Sequence, residues 1–164
     1  MKKKKTAARQ TVSKVYLLRV YFDDYDDLYA DIEASDTMTY EQLHDAIFEA
    51  FKRWEEHLYM FSLPDGTQVL SPYDVLEDGN KPADRCRLGK VLSVGETIYY
   101  LFDFGDTWQH SIEVRGIKEP EAKVNYPHIL EVHGDVPPQY PEEEDFDEDE
   151  DNDEFEDDAP ENGK

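Results

Sequence analysis

One short segment of this sequence, IYYLFDFGDTWQHSIEV, contains most of the side chains that are suited to chemistry. In it, Asp103 and Asp106 flank a Phe-Gly pair, and Trp108 and His110 follow. His57, which lies earlier in the chain, would add a second imidazole. Two carboxylates and two imidazoles are enough to bind zinc or manganese, or to transfer protons. One hypothesis is therefore a metal or acid–base site built from these residues.

The same residues also have a purely structural interpretation. His110 has apolar neighbours, Trp108 and Ile112, two residues to either side, so in a strand it would face the core. Aspartates beside a turn often accept hydrogen bonds from the turn amides. The potential ligands also lack a short spacing such as His-x-x-x-His, and we therefore predict no metal and no cofactor. The five residues named above remain a candidate motif site, without a predicted catalytic residue.

Alternation of apolar and polar residues predicts two β-hairpins and one further strand. Residues 15–22 and 28–34 are predicted to form the first hairpin, with a polar turn between them. Residues 98–104 and 108–114 are predicted to form the second. A separate strand is predicted at residues 57–63, where it ends at a Pro-Asp-Gly turn.

The clearest helical pattern covers about residues 40–54. Thr39 followed by Gln42 is typical of a capping box at the start of a helix. The residues that recur at three- and four-residue steps, and so form the predicted apolar face, are Leu43, Ala46, Ile47, Ala50, Phe51 and Trp54. The predicted polar side contains His44, Asp45, Glu49, Lys52 and Arg53.

This order of elements predicts an α+β fold. We expect an antiparallel or mixed sheet of about five strands with one main helix packed on it, beginning in a β-grasp-like manner. Residues 67–86 are predicted to be loop, because Pro72, Gly79 and Pro82 interrupt them.

The two ends differ in composition from the middle of the chain. The 164 residues carry a formal net charge of −23, and residues 142–164 contain 15 Asp or Glu and one Lys. The first ten residues, MKKKKTAARQ, contain four Lys and one Arg. Such segments cannot bury enough apolar surface to offset the entropy lost on ordering. We predict a basic disordered arm at residues 1–13, one domain at 14–141 and an acidic disordered tail at 142–164.

Composition also predicts where the protein is located. Cys86 is the single cysteine and has no partner for an internal disulfide, which fits a reducing compartment. No apolar run approaches the roughly 18 residues that a membrane span needs. The basic start is not followed by the apolar stretch of a secretory signal. We therefore predict a cytoplasmic protein without a membrane-spanning segment.

The string DFGDTWQHSI resembles the hallmark of the plasmid pRiA4b ORF-3-like family. The matching residues are Asp103, Phe104, Gly105, Asp106, Trp108, His110 and Ile112. Phe102 occupies the position where the family often has Tyr, and Tyr59 occupies the position where a second His is common. YLLRVYF, TYEQLHDAIFEAF, EHLYMF and YPHILEVHGDVPPQY resemble further family segments in the same order, although the last lacks the Cys often found there. The resemblance covers about residues 14–141.

This resemblance implies little about activity. The family has no settled biochemical function, and a link of some members to plasmids and insertion elements indicates a role beside DNA. We expect a non-catalytic binding or interaction module connected with such processes. The alternative is a metal-dependent or acid–base enzyme centred on the Asp103–His110 turn.

The distribution of charge along the chain indicates which class of macromolecule the protein binds. About nine net negative charges remain when residues 142–164 are set aside, so the rest of the chain is also acidic. Because a basic surface is needed to displace counterions from DNA, we predict weak or no direct binding to duplex DNA. We predict a protein partner instead, most simply a basic one attracted by the acidic tail. A third hypothesis is that the only function of the protein is to bind basic proteins through its acidic tail.

Overall fold

The computed structural model describes residues 11–74 and 79–140. Within these ranges the chain forms one eight-stranded sheet and one helix, α1, at Tyr40–Ala50. The strands in chain order are β1 Val15–Phe22, β2 Tyr29–Ser35, β3 Tyr59–Ser62, β4 Gln68–Leu70, β5 Lys81–Pro82, β6 Thr97–Phe102, β7 Trp108–Lys118 and β8 His128–His133. Their order across the sheet is β5-β4-β3-β6-β7-β1-β2-β8, and only the β4–β5 pair is parallel.

The two predicted hairpins are confirmed. β1 pairs antiparallel with β2, and β6 pairs antiparallel with β7. β1 also pairs with β7, so the two hairpins join directly. β1 therefore has a paired strand along each edge and lies inside the sheet, as predicted.

Helix α1 begins with the predicted capping box. The backbone amide of Gln42 donates to Oγ1 of Thr39, and the amide of Thr39 donates to Oε1 of Gln42. The helix ends at Ala50, earlier than predicted, and Lys52 adopts a left-handed conformation with φ of 53°. Trp54 is therefore not on the apolar face, and it is 69% exposed.

The core lies between α1 and one face of the sheet. Buried side chains of α1, such as Leu43 and Ile47, join the apolar cluster formed by the sheet strands. Phe51 packs edge-on against Phe22 of β1, with ring centroids 5.2 Å apart. This aromatic contact connects the end of the helix to the centre of the sheet.

The predicted α+β class is wrong. In residues 11–74 and 79–140, eight strands form the sheet and the helix has only 11 residues, so the structure is mostly β. The β-grasp-like beginning is wrong as well. The strand that follows the helix, β3, pairs with β4 and β6, whereas the first hairpin pairs with β7 and β8.

The missed strands have a physical explanation. β4 has three residues and β5 two, so neither is long enough to show an alternating pattern. Pro82 fits in β5 because this strand lies at the sheet edge, where an amide donor is not required. β8 is largely exposed and shows no apolar alternation either. These segments are stabilised by pairing with neighbouring strands, and this pairing cannot be predicted from their local sequence.

The predicted terminal segments lie almost entirely outside the described residues. Of the predicted arm, only residues 11–13 are described, and there Ser13 donates two hydrogen bonds to the carboxylate of Asp36. Within the described ranges, no helix combines the length and the apolar character needed to cross a membrane.

Candidate functional site

The turn between β6 and β7 is held by Asp103. Its Oδ1 accepts hydrogen bonds from the amides of Gly105 and Asp106, at 3.0 and 3.3 Å. Asp103 has a φ of 62°, a conformation that aspartate adopts more readily than most residues. Oδ1 of Asp103 therefore stabilises the turn. Asp106, the second carboxylate of the motif, is exposed.

The second oxygen of Asp103 lies near His57. Asp103 Oδ2 is 3.5 Å from His57 Nε2, and the hydroxyl of Tyr140 is 2.5 Å from the same nitrogen. The structure thus brings two of the predicted site residues together, with the end of the described chain in contact with them.

His110 lies apart from that pair. It is 3% exposed, and its Nδ1 is 3.3 Å from the carbonyl oxygen of Tyr100. Its ring packs against Phe22 and Phe51, at centroid distances of 4.6 and 5.5 Å. Burial lowers the pKa of His110 to about 4, so the imidazole is neutral near pH 7. Within the described ranges, no hydrogen bond or ion pair joins it to Asp103.

Trp108 has a packing contact with β1. Its ring is 5.3 Å from that of Phe22, and the guanidinium carbon of Arg53 lies 5.4 Å from its ring centroid. Its indole nitrogen is buried and has no hydrogen-bond partner among the described residues. The residues predicted as one site therefore do not form one cluster. Asp103 and His57 lie together at the β6–β7 turn, whereas His110 and Trp108 pack against Phe22.

A cavity of about 500 Å³ lies beside α1 and the start of β3. We call it the acidic cavity. Its lining includes Glu41, His44, Asp45, Glu56, His57, Leu58, Tyr59, Ser71, Pro72 and Tyr73. Among the described residues, no lysine or arginine lines it. His57 is the one member of the predicted site that does.

His44 connects the acidic cavity to the core. Its side chain is 2% exposed, with Nδ1 2.6 Å from the hydroxyl of Tyr100 and Nε2 3.0 Å from Oε2 of Glu56. Tyr59 stacks on the imidazole with ring centroids 3.7 Å apart. Burial lowers the pKa of His44, and the carboxylate of Glu56 partly offsets this effect. A neutral imidazole thus lies between a buried hydroxyl and an exposed carboxylate.

Acidic side chains influence one another around this imidazole. Partial burial raises the pKa of Asp45, His44 offsets part of the increase, and Glu56 adds to it. Burial also raises the pKa of Glu41, followed by repulsion from Asp45 and Asp84. The pKa of the Tyr59 hydroxyl is raised by burial and then by Glu41, Asp45 and Glu56. The cavity therefore has a negative potential that would favour a positively charged ligand.

Sequence reasoning missed this group of residues. The helical pattern placed His44 on the polar side of α1, whereas the structure buries it beside Leu43. A signal was present, because His44 lies four residues before Phe48 and borders the apolar face. Glu56 could not be found in this way, since it follows the helix in a segment of irregular backbone.

Gln139 holds that irregular segment in place. It is 1% exposed, its Oε1 accepts from the amides of Trp54 and Glu55, and its Nε2 donates to the carbonyl of Glu55. Arg53 also donates to the carbonyl oxygen of Pro137. The end of the described chain thus fixes the backbone that presents Glu56 and His57.

We expect Gln139→Ala to lower the free energy of unfolding by roughly 2 kcal/mol, because three hydrogen bonds are lost and each contributes about 0.5–1.5 kcal/mol. Urea denaturation of the full chain measures the change. Gln109→Ala, at an exposed position of β7, is the matched control and should have little effect. Equal stability of wild type and Gln139→Ala would show that this contact does not fix the segment.

Comparison with known proteins identifies the family. The family model described as plasmid pRiA4b ORF-3-like protein matches residues 14–147, which is most of the chain. A relative from Sinorhizobium fredii, the uncharacterized protein y4hQ, is 32% identical over 107 residues. That match covers 63% of this chain and 53% of the relative, so the chain spans about half the length of the curated relative that it matches.

A solved structure supports the fold. The chain is similar to the crystal structure of MM3350, a protein of unknown function from Methanosarcina mazei Go1, with a TM-score of 0.68 and 22% identity. The similarity covers 79% of this chain and 74% of the other. The family model covers more than half of the chain and includes the Asp-Phe-Gly-Asp-x-Trp-x-His turn, and the chain therefore belongs to the plasmid pRiA4b ORF-3-like family.

Proposed function

We propose that this protein is a non-catalytic binding module whose acidic cavity receives a positively charged segment of a partner protein. The observation that carries the proposal is the lining, in which Glu41, Asp45 and Glu56 occur with no lysine or arginine among the described residues. Carboxylates beside tyrosine rings suit the ammonium or guanidinium groups of a basic peptide.

The aromatic side chains support the same ligand class. Tyr73 is 88% exposed at the cavity and can stack on a guanidinium plane. Tyr59 lies deeper and presents an aromatic surface next to His44. A basic side chain could therefore place its apolar stem against the rings and its charge near the carboxylates.

The geometry favours binding over acid–base catalysis at the Asp103–His110 turn. Catalysis there would need both side chains on one accessible surface, within reach of a substrate. His110 is instead enclosed by Phe22, Phe51 and Tyr100, and Asp103 contacts the turn amides and His57. These contacts support structural roles for both residues.

The charge of the chain suggests how a plasmid-linked role would operate. With a net charge of −23, the protein repels the phosphates of duplex DNA at long range. A module of this kind would act through a basic protein that itself binds nucleic acid. The carboxylates of residues 142–164 would add long-range attraction to that partner.

Fluorescence anisotropy with labelled peptides tests the proposal. A Lys/Arg-rich peptide should bind the full chain, and a Glu-rich peptide of equal length should not. The double variant Glu41→Gln/Asp45→Asn should weaken binding roughly 2- to 30-fold, because surface ion pairs contribute roughly 0.2–1 kcal/mol each. Duplex DNA should bind weakly at most at physiological salt.

Glu131→Gln is the matched control, because it also removes a carboxylate but lies on β8, at the opposite edge of the sheet from β4 and β5. The acidic residues 142–164 attract the peptide equally in all variants, so the difference between variants reports the cavity. If the double variant binds the basic peptide as tightly as the wild type, the cavity is not the binding site and the proposal fails.

A further inference from the structure

Three side chains of the acidic cavity have the chemistry and spacing of metal ligands. One ligand atom each from His44, Asp45 and Glu56 lies within 4.8 Å of the other two. His44 Nε2 and Glu56 Oε2 are 3.0 Å apart. Two ligands bound to one ion at about 2.1 Å and near-tetrahedral or square angles are separated by roughly 3.0–3.4 Å. Rotation of the exposed Asp45 side chain would bring its carboxylate to the same separation from the other two ligand atoms.

Tyr59 provides a second, independent observation. It lines the cavity and is 3% exposed, yet its hydroxyl has no hydrogen-bond partner among the described residues. Buried hydroxyls almost always have a partner, so this one is available to hydrogen-bond a ligand held in the cavity. Glu41, Asp45 and Glu56 all lie close enough to act on this hydroxyl electrostatically. A water bound to an ion in the cavity would supply the partner that it lacks.

Tyr100 gives His44 the support that metal-binding histidines usually have. The hydroxyl of Tyr100 lies 2.6 Å from Nδ1 of His44 and fixes the orientation of the ring. A tyrosine hydroxyl can donate or accept, so it can satisfy Nδ1 in either tautomer of the imidazole. With the proton on Nε2, the imidazole donates to the carboxylate of Glu56 at 3.0 Å. In the other tautomer Nδ1 donates to the hydroxyl of Tyr100, and the lone pair of Nε2 can bind a metal ion that lies between it and Glu56. Such outer hydrogen bonds orient a ligand and strengthen its affinity for a metal.

We propose that His44, Asp45 and Glu56 bind a divalent transition-metal ion of the zinc class in the acidic cavity. One imidazole and two carboxylates suit zinc or manganese better than calcium, which takes six to eight oxygen ligands. Three protein ligands would leave a coordination position open towards the cavity. This inference goes beyond the peptide-binding role and does not require it, although both ligands would contact Asp45 and Glu56.

Zinc titration of the metal-free full chain, in competition with a chromophoric chelator, tests the site. The wild type should bind one zinc ion more tightly than any others. Asp45→Asn and Glu56→Gln should each weaken that site at least about tenfold, since even the loss of an outer hydrogen bond costs about 10–100-fold. Both positions are exposed, so these variants should fold. Glu131→Gln is the charge-matched control and should bind zinc as the wild type does.

Histidine NMR separates coordination from simple attraction of cations. One equivalent of zinc should shift the ring resonances of His44, and the exposed His133 should not move. His44→Gln should abolish the tight site without a change in charge, and the NMR experiment on the wild type still decides the matter if this variant does not fold. Unchanged His44 resonances, or equal zinc affinity in the wild type, Asp45→Asn and Glu56→Gln, would overturn the inference.

Competition between the two ligands distinguishes this inference from the proposed function. Zinc at the site should weaken binding of the basic peptide, because it neutralises the same carboxylates. Peptide binding without tight zinc binding would refute the metal site alone. Tight zinc binding without peptide binding would refute the peptide role alone.

Discussion

The free energy of unfolding is expected to fall by roughly 3 kcal/mol between pH 6.5 and pH 4 because of His110. Above pH 6.5 the imidazole is neutral in both the folded and the unfolded chain, so it has no effect on the pH dependence. Below that pH the unfolded chain takes up a proton, whereas burial keeps the folded imidazole neutral until about pH 4. Each pH unit within this window therefore favours the unfolded state by about 1.4 kcal/mol.

Urea denaturation at several pH values measures this effect in the wild type and in His110→Gln. Glutamine keeps an N–H group for the carbonyl of Tyr100 but cannot titrate. His44 has a lowered pKa as well and contributes with the same sign, so the variant should lose much, but not all, of the acid sensitivity above pH 4. His133→Gln removes an exposed histidine and is the matched control. Identical pH profiles for the wild type and His110→Gln would contradict a neutral, buried His110.

The second large effect is expected at Gly134, which follows β8. A Cβ atom at this position would lie 2.6 Å from the carbonyl oxygen of Asp27 and 3.2 Å from Cα of Leu28. Both neighbours are backbone atoms of the segment that leads into β2, so they cannot move aside as a flexible side chain would. The φ of +95° adds conformational strain for any residue with a side chain.

We expect Gly134→Ala to lower the free energy of unfolding by about 3 kcal/mol or more, because backbone displacement is added to the φ strain. Gly66→Ala is the control, since Gly66 has a similar φ of +87° but no atom within 4 Å of the added Cβ. It should cost only about 1 kcal/mol. Thermal or urea unfolding compares the two. Equal losses in both variants would show that the close approach to Asp27 has no energetic consequence.

These two predictions depend on different kinds of information. The segment containing His110 could be assigned from sequence, because strand alternation places it on the same face as Trp108 and Ile112. Its low pKa could not, because that depends on Phe22 and Phe51, which come from β1 and the end of α1. The close contact at Gly134 depends on how β8 pairs with β2, a register that involves no local pattern.

The candidate site shows the same division. The capping box at Thr39 and the Asp103 turn are local arrangements, in which a side chain bonds to amides two or three residues away, and both could be predicted from residue type and spacing. The acidic cavity combines α1, the segment after it and residues 71–73. No spacing in the chain relates Glu56 to His44, because an irregular segment held by Gln139 determines where Glu56 lies.

The sequence by itself determined the two hairpins, the start of the helix, the turn chemistry at Asp103 and the family. Each of these depends on interactions over a few residues or on a contiguous motif, so residue order is enough to specify it. Only the tertiary structure decided that the sheet has eight strands in the described ranges and that His44 is buried beside Glu56. Short strands such as β4 and β5 are stabilised by their neighbours rather than by their own composition, and side chains distant in sequence meet only after the sheet register is set.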